Sequence, residues 1–260
     1  MRLSFDLISD LHLDNWHHFD WTNQATSELC VVAGDIAKDR SLLKKSLEHL
    51  GKNYKTVFFI DGNEEHRNTL SNLDQSYLEL KKLVKDIPNV VYLHDCAVII
   101  NGVAFIATNS WWTFDFDSTY SISDSKLAFE KSYAVDSTAS NNIYRAALND
   151  ARYLEHTISK LQVYQDIKKI VIISHTVPNG DLIKHDKDLS SNYRINTSTN
   201  SLLQLAIDSD TEKKIGLWCF GHYHVNVDTT IDNIRYVCNP RGRLGTPWHR
   251  DPYYPVRIEV

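Results

Sequence analysis

The sequence lacks the features of a membrane or exported protein. It has no apolar run of the ~18 residues that a membrane helix needs, and no basic segment followed by an apolar one at its start. It also lacks a CxxC pair, and its four cysteines are scattered. Scattered cysteines favour buried free thiols in a reducing compartment. We therefore expect a soluble, cytoplasmic protein.

An excess of positive charge is also absent. The chain has 28 Lys and Arg residues against 33 Asp and Glu residues, a formal net charge of −5 at pH 7. Binding along duplex nucleic acid needs a broad basic surface, so this class of partner is not favoured. A metal cluster would still attract a phosphate group locally.

The chain does have enough apolar residues for a large core, since 42% of its 260 residues are hydrophobic. Short apolar runs alternate with amphipathic segments, which predicts an α/β (α+β layered) fold. The predicted helices are Ser41 to Leu50, Leu73 to Lys85 and Ile143 to Leu161. The predicted strands are Leu3 to Ile8, Leu29 to Ala33, Thr56 to Ile60, Val90 to Leu93, Ala97 to Ile100, Val103 to Thr108, Ile170 to Ser174, Ile215 to Phe220, Thr229 to Ile231 and Arg235 to Cys238.

Two polar or aromatic stretches interrupt this pattern without resembling linkers. We predict one domain, 1–260, with a helical or loop insertion around 111–165. Residues 177–200 form a polar stretch of the length expected for a functional loop, and we expect it to act as a lid. Trp111, Trp112, Phe114 and Phe116 fit core packing better than an aromatic wall for a base.

Five apolar runs end in side chains that bind metals. Taken singly, each of these side chains has a structural explanation, such as a helix cap or a turn. Jointly they are specific, because ligand sites in layered α/β proteins form beyond the carboxyl ends of strands. The mixed nitrogen and oxygen donors suit Mn, Fe, Zn, Co or Ni. The candidate ligands are Asp10, His12, Asp35, Asn63, His175, His222 and His224.

The motifs D-x-H, G-D, G-N, H and G-H-x-H follow one another here in the order found in a known family, ahead of Asn239-Pro240-Arg241-Gly242. The chain resembles the calcineurin-like metallophosphoesterases. The resemblance implies a two-sheet β-sandwich flanked by helices. It also implies two divalent metal ions, with Mn preferred and Fe, Zn, Ni or Co as alternatives, and a metal-bridging hydroxide as the nucleophile.

The resemblance also divides the ligands between the two metal sites. One site would be formed by Asp10, His12, Asp35 and His224. The other would be formed by Asp35, Asn63, His175 and His222. The Asp35 carboxylate would then bridge the two ions, which in such centres lie about 3.5–4 Å apart.

One position departs from the family pattern. Glu64 follows Asn63, where family members usually have a histidine that contacts the leaving group or the phosphate. Three outcomes are open: His66 supplies the imidazole, the substrate has a leaving group that needs no acid, or efficient catalysis has been lost. We favour the second outcome, and Glu64 and His66 are the candidate catalytic residues.

Arginines beside these motifs are candidates for phosphate binding. Arg67 and Arg241 are the predicted substrate contacts, with Arg243 nearby, although surface ion pairing is the alternative. The sequence as a whole predicts a metal-dependent hydrolase of small phosphate esters, with a phosphodiester or nucleotide-type substrate favoured. A phosphomonoesterase and a non-catalytic binding module of the same fold are the alternatives.

Overall fold

Two β-sheets pack face to face in the computed structural model, which describes residues 3–17, 19–116, 118–183 and 196–260. The eleven described strands are β1 (Ser4–Ile8), β2 (Leu29–Ala33), β3 (Thr56–Ile60), β4 (Val90–Tyr92), β5 (Cys96–Ile100), β6 (Val103–Ala107), β7 (Lys169–Ile173), β8 (Ile215–Phe220), β9 (Val227–Ile231), β10 (Ile234–Cys238) and β11 (Val256–Glu259). The helices are α1 (Arg40–Asn53), α2 (Leu73–Lys85), α3 (Ile122–Tyr133), α4 (Ser137–Gln162) and α5 (Leu203–Asp208).

The first sheet has the order β11-β1-β2-β3-β4 and the second has the order β5-β6-β7-β8-β10-β9. In the first sheet β1, β2, β3 and β4 are parallel, and in the second β6, β7, β8 and β10 are parallel. Antiparallel strands close the edges: β11 in the first sheet, and β5 and β9 in the second. The carboxyl ends of the central parallel strands therefore meet at one rim of the sandwich.

The core lies between the sheets and beneath the helices. Inward side chains of both sheets, such as Phe5, Phe58, Phe105 and Val171, form the central layer. Helices α1 and α2 cover the outer face of the first sheet, and α4 and α5 cover that of the second. The central strands are thus buried on both faces, which explains their near-continuous apolar runs.

The predicted two-sheet architecture flanked by helices is confirmed. All ten predicted strands are present, but β11, α3 and α5 were not predicted. Helix α4 begins at Ser137, six residues before the predicted Ile143, because Asp136 caps it and its first turn is polar. Helices α3 and α4 occupy the segment predicted as an insertion. No helix within the described ranges has the length and apolarity to cross a membrane.

The stretch predicted to act as a lid, 177–200, is described only at its two ends. Residues 184–195 lie outside the described residues. On either side of them, Val177 and Thr199 form a parallel β-bridge. The two ends of the stretch therefore meet beside the rim that carries the ligand residues.

Candidate metal centre

All seven predicted ligands follow strands that end at the same rim. Asp10 and His12 follow β1, Asp35 follows β2 and Asn63 follows β3. His175 follows β7, while His222 and His224 follow β8. Each sheet therefore contributes part of the site, and the sandwich brings the two parts together.

The backbone turns sharply at most of these positions. The backbone is left-handed at Asp10 (φ 50°), His12 (φ 43°), Asp35 (φ 57°), His222 (φ 68°) and His224 (φ 59°). This conformation costs roughly 1–2 kcal/mol for a residue with a Cβ atom. Strain of this kind clusters at functional sites, where surrounding contacts maintain it.

Long-range backbone hydrogen bonds hold the strained turns in place. The N–H of Asp10 donates to Gly34 O at 3.0 Å, and the N–H of His12 donates to Asp35 O at 3.0 Å. The N–H of His222 donates to Asp10 Oδ1 at 2.8 Å. The last bond joins the two sheets through a ligand residue.

The first ligand cluster contains Asp10, His12, Asp35 and His224, whose donor atoms all lie within 4.8 Å of one another. His12 Nε2 and His224 Nε2 are 2.7 Å apart. His224 Nε2 lies 3.4 Å from Asp10 Oδ1, and His12 Nε2 lies 3.7 Å from Asp35 Oδ2. Two imidazole nitrogens so close together need a shared proton or cation between them.

The second cluster contains Asp35, His175 and His222, and Asn63 joins it. His175 Nε2 lies 3.4 Å from Asp35 Oδ1. Asn63 Oδ1 lies 3.2 Å from His175 Nε2 and 2.8 Å from His222 Nδ1. Asp35 presents Oδ2 to the first cluster and Oδ1 to the second, which is the arrangement of a bridging carboxylate.

Neighbouring carbonyls set the ring tautomers of the second cluster. His175 Nδ1 donates to Ala33 O at 2.9 Å, so Nε2 faces Asp35 and Asn63. His222 Nε2 donates to Thr197 O at 3.1 Å, which leaves Nδ1 toward Asn63. A backbone carbonyl on the second ring nitrogen is the usual support of a metal-binding histidine.

The donor set fits divalent metal ions. Asp10 Oδ2 is buried without a hydrogen-bond partner. Burial lowers the pKa of His12 to about 3 and that of His222 to about 4, so both rings are neutral with a free lone pair. Burial also acts to lower the pKa of His175, but Asp35 outweighs it and raises the pKa to about 10. A cation at Asp35 would take the place of that proton.

A buried carboxylate braces the ligand loops from behind. Glu65 accepts four backbone N–H bonds, from Asp35 (3.0 Å), Ile36 (2.7 Å), Ala37 (3.1 Å) and Gly62 (2.7 Å). Burial and the charge of Asp35 raise the pKa of Glu65, while the four N–H donors favour its ionised form. No local sequence pattern distinguishes this residue from Glu64.

Glu64 lies beside the second cluster and is 6% exposed. Its Oε1 accepts from Arg243 Nη2 at 2.8 Å and from Asn63 Nδ2 at 3.1 Å. Burial and the charge of Asp35 raise the pKa of its carboxyl, while Arg243 lowers it. Glu64 therefore lies next to Asn63 of the second cluster and forms an ion pair with Arg243.

His66 does not join Glu64 at the ligand clusters. Its Nε2 lies 2.9 Å from Asp61 Oδ2 and its Nδ1 lies 2.8 Å from Ser76 Oγ. The ring is fully buried and packs against Tyr77 and Trp111. Both ring nitrogens are engaged in this network, so neither is free for a substrate.

The three arginines lie in different surroundings. The Arg67 guanidinium is 3.8 Å from the Tyr133 ring and 4.0 Å from Glu64 Oε1. The Arg241 guanidinium is 3.7 Å from the Trp16 ring, away from the ligand clusters. Arg243, two residues later, is the arginine that reaches Glu64. The sequence shows that Arg241 and Arg243 are both near the motifs. It does not show that their side chains have different neighbours.

The aromatic residues near the insertion pack in the core, as the sequence favoured. Trp111, Trp112 and Phe114 are fully buried with Phe129. Trp112 also stacks on His222, with ring centroids 5.5 Å apart. The aromatic core therefore packs against the ring of His222, one of the candidate metal ligands.

Comparison with known proteins supports the fold. No family model matches the chain. A protein of Acanthamoeba polyphaga mimivirus, described as uncharacterized, is 21% identical over 276 residues, covering 97% of this chain and 95% of its own. Phosphopantetheinyl hydrolase from Mycobacterium tuberculosis has a TM-score of 0.70 and 16% identity, covering 100% of this chain and 96% of its own. This likeness shows that the two proteins share a fold.

A further solved structure resembles the chain over part of its own length. The 5'-nucleotidase from Candida albicans has a TM-score of 0.43 and 12% identity, covering 99% of this chain and 51% of its own.

Proposed function

We propose that this protein is a phosphate-ester hydrolase that binds two divalent transition metal ions, with Mn²⁺ preferred. The observation that carries the proposal is the position of Asp35, whose two carboxylate oxygens face two separate ligand clusters. Asp10, His12 and His224 would hold one ion with Asp35. Asn63, His175 and His222 would hold the other. Bound ions of this kind lower the pKa of water and neutralise charge on the phosphoryl oxygens.

Arginines beside the clusters supply positive charge for the substrate phosphate. Arg243 is held by Glu64 at 2.8 Å, and Arg67 lies 4.0 Å from the same carboxylate oxygen. Guanidinium groups bind phosphate oxygens through paired N–H donors. Glu64 thus acts as a positioning residue for both arginines.

The surroundings of Glu64 and His66 bear on the leaving group. Glu64 is ion-paired, and both nitrogens of His66 are engaged. Neither residue is therefore placed to protonate a leaving oxygen. This favours a substrate whose leaving group departs without a proton, such as a nucleotide or the nitrophenyl group of an activated aryl phosphodiester.

Metal-dependent turnover tests this function. The metal-stripped protein should be inactive and should regain hydrolysis of bis-p-nitrophenyl phosphate on addition of Mn²⁺. Asp35→Asn should lower kcat/KM on the order of 10²–10³-fold and reduce binding at both metal sites, because the shared side chain loses its negative charge and one of its two oxygens becomes an NH₂ group. Asp86→Asn, which neutralises an exposed carboxylate after α2, is the matched control.

The outcomes separate the alternatives. Faster cleavage of p-nitrophenyl phosphate than of the diester would assign a phosphomonoesterase. Purified protein that neither binds transition metals nor hydrolyses either ester would support a binding module instead. Two metals at full occupancy in Asp35→Asn would exclude Asp35 as a bridge.

A further inference from the structure

Arg241 is a largely buried arginine whose guanidinium has no hydrogen-bond or ion-pair partner among the described residues. The residue is 7% exposed, and its Nε is buried without a hydrogen bond. Its guanidinium makes no hydrogen bond or ion pair with any part of the chain that the structure describes. The Arg241 guanidinium carbon lies over the Trp16 ring, 3.7 Å from the ring centroid. A cation removed from water without an anionic partner is strongly unfavourable.

The Arg241 side chain lines a pocket of about 150 Å³. Trp21, Tyr253 and Phe19 form its aromatic walls, with the Trp21 and Tyr253 ring centroids 5.9 Å apart. The pocket therefore combines aromatic walls with polar and charged side chains, among them Gln24 and Arg241. It has room for a small organic anion.

The pocket and the metal centre share chain segments but are separate sites. The N–H of Arg241 donates to Ser9 O at 3.0 Å, and the N–H of Gly242 donates to Asp10 O at 2.9 Å. Gly242, which separates the two arginines, has a left-handed backbone (φ 79°). The Arg243 side chain reaches Glu64, whereas the Arg241 guanidinium lies over Trp16. None of the predicted metal ligands lines the pocket.

Two carboxylates also line the pocket. Asp20 Oδ1 accepts a hydrogen bond from the N–H of Thr22 at 2.9 Å and lies 3.5 Å from His49 Nε2. Asp251 is exposed, and no ion pair joins it to Arg241. Burial lowers the pKa of Arg241 and the charge of Asp251 opposes this, but an arginine stays protonated at neutral pH. Neither carboxylate therefore satisfies the guanidinium donors.

We propose that this pocket is a second anion site, in which Arg241 binds the oxyanion of a small ligand, a phosphate or a carboxylate carried on a flat apolar body. The guanidinium supplies the paired donors that such an oxyanion needs. The aromatic walls cover the apolar body. The proposal goes beyond the metal-dependent activity and does not depend on it.

Anion binding by the full-length protein tests the site. Inorganic phosphate and benzoate are titrated separately, with and without EDTA, and followed by calorimetry and by tryptophan fluorescence. At least one anion should bind in the presence of EDTA and change the emission, because Trp16 and Trp21 border the site. Phosphate binding alone indicates a phosphoryl ligand, and tighter benzoate binding indicates an aromatic carboxylate. A failure of the metal-dependent activity would leave this result unchanged.

Charge variants identify the residue responsible. Arg241→Met should weaken binding by about 10-fold or more, the loss expected for a charged hydrogen bond. Asp251→Asn should strengthen it, because an opposing charge is removed. Arg257→Met, which removes a surface arginine bonded to the Thr26 carbonyl, should bind like the wild type. If Arg241→Met is poorly folded, Arg241→Lys gives the same test, since it keeps the charge but loses the paired donors.

Three results would overturn the proposal. The first is that neither anion binds to the wild type in EDTA. The second is that the folded Arg241 variants bind as tightly as the wild type. The third is that Asp251→Asn weakens binding.

Discussion

Gly62 lies against Asp35, the proposed bridging carboxylate, and its lack of a side chain leaves room for that carboxylate. A Cβ atom at this position would overlap Asp35 Oδ1 and would lie 2.7 Å from His175 Cε1. Neither neighbour can yield, because both are ligand side chains held by further hydrogen bonds. Close approach, rather than an unusual φ angle, requires glycine here.

Gly62→Ala should therefore displace Asp35 and abolish metal binding at both sites. The overpacking should also lower the free energy of unfolding by about 1–3 kcal/mol. Metal content measured by mass spectrometry after dialysis checks the first effect, and urea denaturation checks the second.

Gly216→Ala is the control for this change. A Cβ atom there would meet only the flexible Lys169 side chain, at 3.1–3.3 Å. The variant should keep its metals. Wild-type metal content in Gly62→Ala would show that the Asp35 loop can shift without loss of the centre.

In the proposed function, Glu64 bears on which leaving groups the site would release. Its carboxylate lies beside the second ligand cluster and binds Arg243 instead of presenting a proton. Glu64→His should provide an imidazole at this position. General acid catalysis contributes roughly 10²–10⁴-fold where the leaving group is poor.

Glu64→His should accordingly raise kcat at least about 10-fold for phenyl phosphate, whose leaving group needs a proton. It should change kcat little for p-nitrophenyl phosphate, whose leaving group does not. Steady-state kinetics with the two esters in Mn²⁺ measures the difference. An equal change with both esters would mean that residue 64 does not contact the leaving oxygen.

At the scale of elements, Glu65 joins the loops that follow β2 and β3. It accepts the N–H groups of Asp35, Ile36 and Ala37 from one loop and that of Gly62 from the other. These bonds stabilise a turn in which Asp35 is left-handed. The brace is fully inside the protein, so an N–H group that loses its partner there has no water to bind.

Glu65→Gln keeps the shape of the side chain but replaces one accepting oxygen with an NH₂ group. That group would face backbone N–H donors, with which it cannot form hydrogen bonds. The free energy of unfolding should fall by about 1.5–3 kcal/mol, and metal affinity should fall by about 10–100-fold. Urea denaturation of the metal-free protein and Mn²⁺ titration measure the two effects. Glu155→Gln, on α4 and half-buried without a recorded partner, should stay within about 0.5 kcal/mol of the wild type. A Glu65→Gln variant as stable as this control would show that the brace is dispensable.

At the scale of the whole molecule, the ligand clusters connect the two sheets. Asp10, Asp35 and Asn63 extend from the first sheet, while His175, His222 and His224 extend from the second. Metal ions would bind between these residues only in the folded protein, because the unfolded chain does not bring the two sheets together. Such binding stabilises the fold by about 2.7 kcal/mol when the free metal is at 100 times its Kd.

EDTA should therefore lower the Tm of the Mn²⁺-loaded protein by about 5–10 °C, since about 1 kcal/mol corresponds to 2–4 °C for a chain of this size. Differential scanning calorimetry measures the shift, and excess Mn²⁺ should reverse it. Asp35→Asn should show a much smaller response to EDTA. A Tm that is indifferent to EDTA in the wild type would argue against metals between the sheets.

Much of the fold and the ligand set could be predicted because both depend on local pattern. Buried parallel strands need continuous apolar runs, and the ligands follow those runs within a few residues. Elements with weaker local signals were missed. Strand β11 alternates buried and exposed residues at an edge, and α5 is only six residues long.

The sequence by itself determined ten of the eleven described strands and the seven candidate ligands that follow them, since spacing along the chain is enough to place Asp10 beside His12 or Gly34 beside Asp35. Only the tertiary structure decided where the remaining charged side chains point. Glu64 and Arg243 are 179 positions apart, and His66 turns from its neighbour Glu64 into a buried network. Such pairings depend on how the two sheets pack and on how the loops that follow their strands meet, and no short-range pattern in the chain contains that information.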